Sequence, residues 1–178
     1  MTQAVRAPQS QPARIAFNGG AGVSLTDSPD AGFVTQNAIR LNSIHDNGTI
    51  GIDLDGDGST PNSSGGPHSG TNHDQNFPVL ITATSTATNT TITGTFNSTP
   101  SSTFVLDFYS NDTIESPLTL QGKTYLGSIP VITDALGNVM LNATLPVSIA
   151  DGAFLTATAT STAPAPYGDT SEFAAPVQ

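Results

Sequence analysis

The densest chemistry in the sequence lies in the run Asp53-Leu-Asp-Gly-Asp-Gly58. Asp53, Asp55 and Asp57 alternate, with Gly56 and Gly58 between and after them. Calcium takes several hard oxygen ligands, and glycine beside alternate carboxylates lets a backbone curl around the ion. Asp74, at the far end of the same polar loop, is a candidate fourth ligand. The run is not an EF-hand, because the twelfth position counted from Asp53 is Ser64 rather than Glu, and no helix pattern flanks it. A polar turn explains the same residues: Asp and Gly favour turns, and strand alternation sends the three carboxylates to one solvated face. Calcium at Asp53, Asp55, Asp57 and Asp74 is the cofactor expectation, and the plain turn is its competitor.

Other chemistries have less support. His45, His68 and His73 match no zinc or copper ligand spacing and are expected to be solvated loop residues. The absence of cysteine removes disulfides, thiolate metal sites and a thiol nucleophile. No G-x-S-x-G elbow, phosphate-binding loop or dinucleotide fingerprint occurs. A glycosidase needs two carboxylates flanking the bond. Asp107 and the acidic run can be nominated, but strand-face and turn roles account for them equally. A lyase acting on polyuronates would need a basic residue such as Arg14 or Arg40, yet a net charge of −10 repels such polymers. The expected chain is therefore non-catalytic, with carbohydrate binding as the rival reading. Trp is absent, and Tyr109 and Tyr125 read as strand residues. Tyr167, in the Pro-rich stretch 163–167, is the ligand-binding candidate. Thr-x-Thr pairs at 82–84, 86–88, 91–93 and 156–158 raise ice binding, but they fall on strands where Thr is expected to face water.

Composition specifies the elements that must carry these residues. The chain has 178 residues, 10% charged and 36% hydrophobic, and the remainder is dominated by Thr, Ser, Asn and Gly. β-Branched Thr suits strands, Asn and Gly suit turns, and no window shows a helical apolar stripe. The only basic side chains are Arg6, Arg14, Arg40 and Lys123, so nucleic acid and anionic membranes are poor partners. No run approaches the ~20 apolar residues of a membrane span. Residues 1–14 are polar, lack the apolar core of a signal peptide, and read as an N-terminal extension. Either a signal is removed, or the chain is a piece of a longer exported one.

An internal repeat organises residues 15–58. Ile15-Ala-Phe-Asn-Gly-Gly-Ala-Gly-Val-Ser-Leu25 aligns with Ile44-His-Asp-Asn-Gly-Thr-Ile-Gly-Ile-Asp-Leu54 at an offset of 29 residues, and a half-copy, Asn37 to Ile44, precedes the second unit. Alternate apolar residues predict short strands facing inward, with Asn-Gly at the corners. Stacked Asn side chains satisfy the backbone there, and Gly supplies the left-handed bend. The pattern N-x-I-x-x-N-x-I-x-x-N-G-x-x-G-I-x-L resembles the right-handed parallel β-helix of bacterial surface proteins and pectate-lyase-like folds. Only two or three coils fit, so the resemblance implies the last coils of a longer helix. One end is expected to be covered by the N-terminal segment, by the second domain or by another copy.

Residues 59–76 read as a polar acidic and glycine-rich linker, and 77–178 as a β-sandwich. Strands are predicted around Phe77–Ile81, Thr82–Thr88, Thr91–Phe96, Phe104–Tyr109, Thr124–Ile132, Val139–Leu145 and Ala153–Thr160. About seven strands over roughly 100 residues fit an antiparallel sandwich. Gly51–Gly58, Asn76–Leu80, Thr103–Tyr109, Thr124–Gly127 and the closing Thr170–Phe173 follow one another in an order that resembles large bacterial surface proteins. In those proteins a β-helix runs through a polar loop into an immunoglobulin-like domain. The resemblance implies a secreted or surface-anchored structural or adhesive protein. Its partners would be polysaccharide or cell-surface glycan, with self-association through the open β-helix end.

Overall fold

The computed structural model describes residues 12–27, 34–112, 120–162 and 168–178. Tyr167 and the stretch 163–167 lie outside the described residues. The fold is all-β, with antiparallel sheets. Four short strands, β1 (Arg14–Ala16), β2 (Val23–Leu25), β3 (Ser43–His45) and β4 (Ile52–Leu54), precede one 3-10 turn, Thr71–Asp74. Six longer strands follow: β5 (Val79–Ser85), β6 (Thr90–Asn97), β7 (Thr103–Asn111), β8 (Thr124–Ile132), β9 (Asn138–Leu145) and β10 (Phe154–Ser161).

The long strands form two three-stranded antiparallel sheets, ordered β5-β6-β9 and β10-β7-β8. Their alternation matches the sequence. Ile92 and Phe96 of β6 and Leu141, Ala143 and Leu145 of β9 face Phe104, Leu106 and Phe108 of β7 and Leu155, Ala157 and Ala159 of β10 in one core. Phe96 and Phe104 meet edge to face at 5.0 Å across the two sheets, a geometry favoured by the aromatic quadrupole. Among the described residues six strands carry the sheets, where the sequence suggests about seven. The segment after Asp169 runs beside β10 through the Ser171 N–H to Ala159 and Ala174 N–H to Ala157 bonds without becoming a strand.

The short strands pair in parallel, β1 with β3 and β2 with β4. Register sets Ile15 opposite Ile44, Val23 opposite Ile52 and Leu25 opposite Leu54, which is the 29-residue offset of the repeat. The Asn stack forms: Asn18 Nδ2 donates to Asn47 Oδ1 at 2.8 Å. The left-handed bend, however, is displaced from the glycines. It falls on Phe17 (φ 64°) and Asp46 (φ 55°), each one residue before the corner Asn. Gly48 is required for a different reason, since a Cβ there would lie 2.4 Å from the Gly19 carbonyl oxygen. The two repeat units approach too closely there for any side chain.

One side of the parallel-paired short strands is covered by the segment leading into β8. Ile44 exchanges both backbone hydrogen bonds with Gly122, at 2.8 Å each, and the Gly51 N–H donates to the Leu120 carbonyl at 2.7 Å. Between them Gln121 accepts the Asn47 N–H (3.0 Å) and Nδ2–H (2.9 Å) and donates to the carbonyls of Asn47 and Thr49. A second core joins the two parts: Ile44, Ile52 and Leu54 of the short strands pack with Tyr109 of β7 and with Phe173. Gly51 and Gly122 leave room for the Phe173 ring, because a Cβ at either would come within 2.7 Å of it. The outer face of β7 is therefore interior. So is that of β10, where Thr156, Thr158 and Thr160 are buried rather than solvent-facing. The C-terminal segment covers them, with the Thr156 hydroxyl donating to Ala174 and Thr160 paired with Thr170.

Candidate functional site

The acidic loop leaves β4 with Ile52 and Leu54 turned into the second core, which aims Asp53 the other way. Asp53 is nonetheless buried, and its Oδ1 accepts the Gly58 N–H at 3.2 Å. Positive φ at Asp55 (67°), Gly56 (76°) and Gly58 (101°) curls the chain. Asp55 is latched to the 3-10 turn by two bonds: its Oδ1 accepts the Thr71 N–H at 2.9 Å, and the Thr71 hydroxyl accepts the Asp55 N–H at 3.0 Å.

That turn is left-handed, with φ of 46°, 52° and 42° at Asn72, His73 and Asp74. Each such non-glycine residue costs roughly 1–2 kcal/mol. Asn72 offsets this through its side chain, which accepts the Asn37 N–H and donates to the carbonyls of Asn37 (2.8 Å) and Thr170 (3.0 Å). The turn carries Asp74 back over Gly70, whose missing Cβ would overlap the Asp74 carboxyl. Asp74 Oδ1 is buried and has no hydrogen-bond partner. Burial first, and Asp55 second, push the Asp74 carboxyl up to about 6; Asp57 adds to this and His68 opposes it.

The structure thus gathers Asp55, Asp57 and Asp74 on one side of the loop and turns Asp53 toward a residue the sequence reading did not single out. This is Glu172, which is buried with its carboxylate accepting the N–H groups of Leu54 (3.0 Å) and Thr60 (2.9 Å). Desolvation pushes Glu172 up to about 7, the Leu54 and Thr60 N–H bonds pull it down, and Asp53 raises it. Glu172 is one of only two Glu in the chain and follows Asp169 by three residues in the closing segment, and that pair of acids is the signal the sequence carries. Among the described residues, no group of three His, Asp or Glu side chains converges tightly enough to hold a metal ion as the side chains stand.

The three histidines are engaged separately rather than solvated in common. His45 Nδ1 pairs with Asp46 at 2.6 Å, His68 Nε2 with the Ser63 hydroxyl at 2.9 Å, and His73 Nδ1 with Asp169 at 2.9 Å. The loop around them is pinned by Asn76, whose Nδ2 donates to the carbonyls of Ser63, Gly65 and Asn97. Asp107, nominated from the sequence as a carboxylate, receives a side-on Arg40 guanidinium through Nε and Nη2, both at 2.8 Å. Tyr125 is 38% exposed, whereas Tyr109 is buried and accepts the Leu41 N–H through its hydroxyl at 3.2 Å. No helix of the described residues is long and apolar enough to cross a membrane. No family model matches the chain, and no curated protein matches it.

Proposed function

We propose that this chain is a non-catalytic structural or adhesive module working outside the cell. In this reading the final coils of a right-handed parallel β-helix are seated on an immunoglobulin-like sandwich, and calcium stiffens the loop between them. The observation that carries it is the asymmetry of the coils. Leu120–Gly122 covers one side, while β1 and β2 pair, among the described residues, only toward β3 and β4. A coil buries its faces only against neighbours, so the open side suits a further coil, which a second copy can supply. The extracellular setting rests on the resemblance to surface proteins.

The Ala13 carbonyl and the Phe17 N–H point to the second coil, so alternation directs the Ala16 N–H outward. Wild-type protein is expected to dimerise with rising concentration in light scattering, and Ala16→Pro to remain monomeric with an unchanged β-rich circular dichroism spectrum. A wild type that stays monomeric throughout rejects the self-association.

Calcium is supported by the facing Asp55 and Asp74 carboxylates and the unpartnered Asp74 oxygen. At millimolar calcium and neutral pH, the wild type is expected to gain about 1–2 kcal/mol over protein in chelator, the range for a weak extracellular site. Asp74→Asn tolerates the left-handed backbone. It is expected to melt higher than wild type in chelator, because it removes the repulsion, and to gain nothing from calcium. Superimposable wild-type melts with calcium and with chelator reject the metal.

A further inference from the structure

A cavity of about 170 Å³ lies where the left-handed turn, the start of β7 and the C-terminal segment meet; His73, Asp169, Gln36, Thr99, Thr103 and Phe104 are among its lining residues. It is separate from the facing carboxylates of the acidic loop. Its polar centre is built rather than accidental. Asp169 is 7% exposed; one carboxylate oxygen accepts the Gln36 N–H at 2.6 Å and the other binds His73 Nδ1 at 2.9 Å. The Asp169 N–H is itself held by the Ser161 hydroxyl at 3.0 Å. A carboxylate fixed in this way sets the proton on Nδ1 and leaves Nε2 as an acceptor. Nε2 has no hydrogen-bond partner among the described residues, and neither do the side chains of Gln36, Thr99 and Thr103. The imidazole is presented by backbone at φ 52°, and the Asn72 side chain holds the turn in that conformation. Strain of this kind concentrates where a side chain must be aimed.

We propose that this cavity binds one neutral sugar ring. A ring hydroxyl donates to His73 Nε2, the hydroxyls of Thr99 and Thr103 and the Gln36 amide meet its neighbours, and Pro67 and Phe104 wall the apolar face. Sparse polar groups set into apolar walls are the usual composition of a small-ligand site. The net charge of −10 and the adjacent Asp169 disfavour an anionic ligand. The assignment stands without calcium or a second copy, so its failure leaves the structural reading intact.

The test is a two-dimensional amide NMR titration of the full chain with the methyl glycosides of glucose, galactose, mannose and N-acetylglucosamine at millimolar concentrations, together with long-range spectra of the His73 ring. At least one glycoside is expected to give saturable shifts confined to His73, Thr99, Thr103 and Ser161, with His73 Nε2 moving most. His73→Asn, which tolerates the left-handed backbone, and Gln36→Ala, at an exposed position, are each expected to weaken binding about tenfold with the remaining spectrum unchanged. Absence of saturable shifts with all four glycosides overturns the proposal. So does an affinity that His73→Asn leaves unaltered.

Discussion

Arg40→Ala is expected to lower the unfolding free energy by about 3–5 kcal/mol, the effect of breaking a buried pair by removing one partner. Asp107 is fully buried in the middle of β7 and accepts both Arg40 bonds at 2.8 Å, and the Ser128 hydroxyl donates to the same carboxylate. With the guanidinium gone, an ionised carboxylate is left between a sheet and the segment before β3 that covers it, and water has little access. The pair also fixes how the segment before β3 lies on β7, with the neighbouring Leu41 N–H donating to Tyr109. The double variant Arg40→Met, Asp107→Leu is expected to recover most of the loss, because the desolvation penalty disappears along with the attraction. Urea unfolding of the three proteins measures this. A single-variant loss below about 1 kcal/mol would mean that the pair behaves as a surface ion pair, and that the segment before β3 is held on β7 by its other contacts.

The second large effect is a pH dependence of unusual sign. Glu172 and Asp74 both have folded-state values raised above their ordinary ones, to about 7 and about 6. A raised carboxyl binds more protons folded than unfolded, so its contribution is fully present below the ordinary carboxylate range and is lost as pH rises through the folded value. Thermal stability in chelator is therefore expected to increase as pH falls from about 8 to about 4.5, with Glu172 contributing on the order of 2–3 kcal/mol. Asp134 acts in the opposite sense. The Asn138 and Leu136 N–H groups hold its carboxyl below the usual range, so its contribution is present above the ordinary value and lost in stronger acid. The result is a maximum on the acid side of neutrality. Glu172→Gln is expected to flatten the neutral limb of the profile, and Asp74→Asn the limb below it. A wild-type profile that rises toward pH 8 would show that the Leu54 and Thr60 N–H bonds to Glu172 outweigh its desolvation.

Much of the chain's local order follows from sequence because its determinants are local. Period-two alternation in β6, β7 and β9 decides which residues enter the sandwich core, and the 29-residue repeat decides that Ile15 meets Ile44 and Leu25 meets Leu54. The Asn corners are readable for the same reason, although the left-handed backbone falls on Phe17 and Asp46, and the glycine at 48 instead permits the close approach to Gly19. Alternation states that Asp107, Tyr109, Thr156, Thr158 and Thr160 share the outward side of their sheet; it does not state what lies against that side. The short N-terminal strands and the C-terminal segment do, and this turns a solvated face into an interior one.

The acidic run shows the same division. By itself the sequence determined that Asp53, Asp55 and Asp57 lie on a tight glycine loop with Asp74 at its far end. Only the tertiary structure separated Asp53 from Asp55 and set Asp74 against Asp55. It also brought Glu172 to Leu54 and Thr60, and Asp169 to His73, from 118, 112 and 96 residues away along the chain. The physical reason is that burial and charge pairing depend on which chain segments exclude water from one another, and no local pattern records a neighbour so distant in sequence.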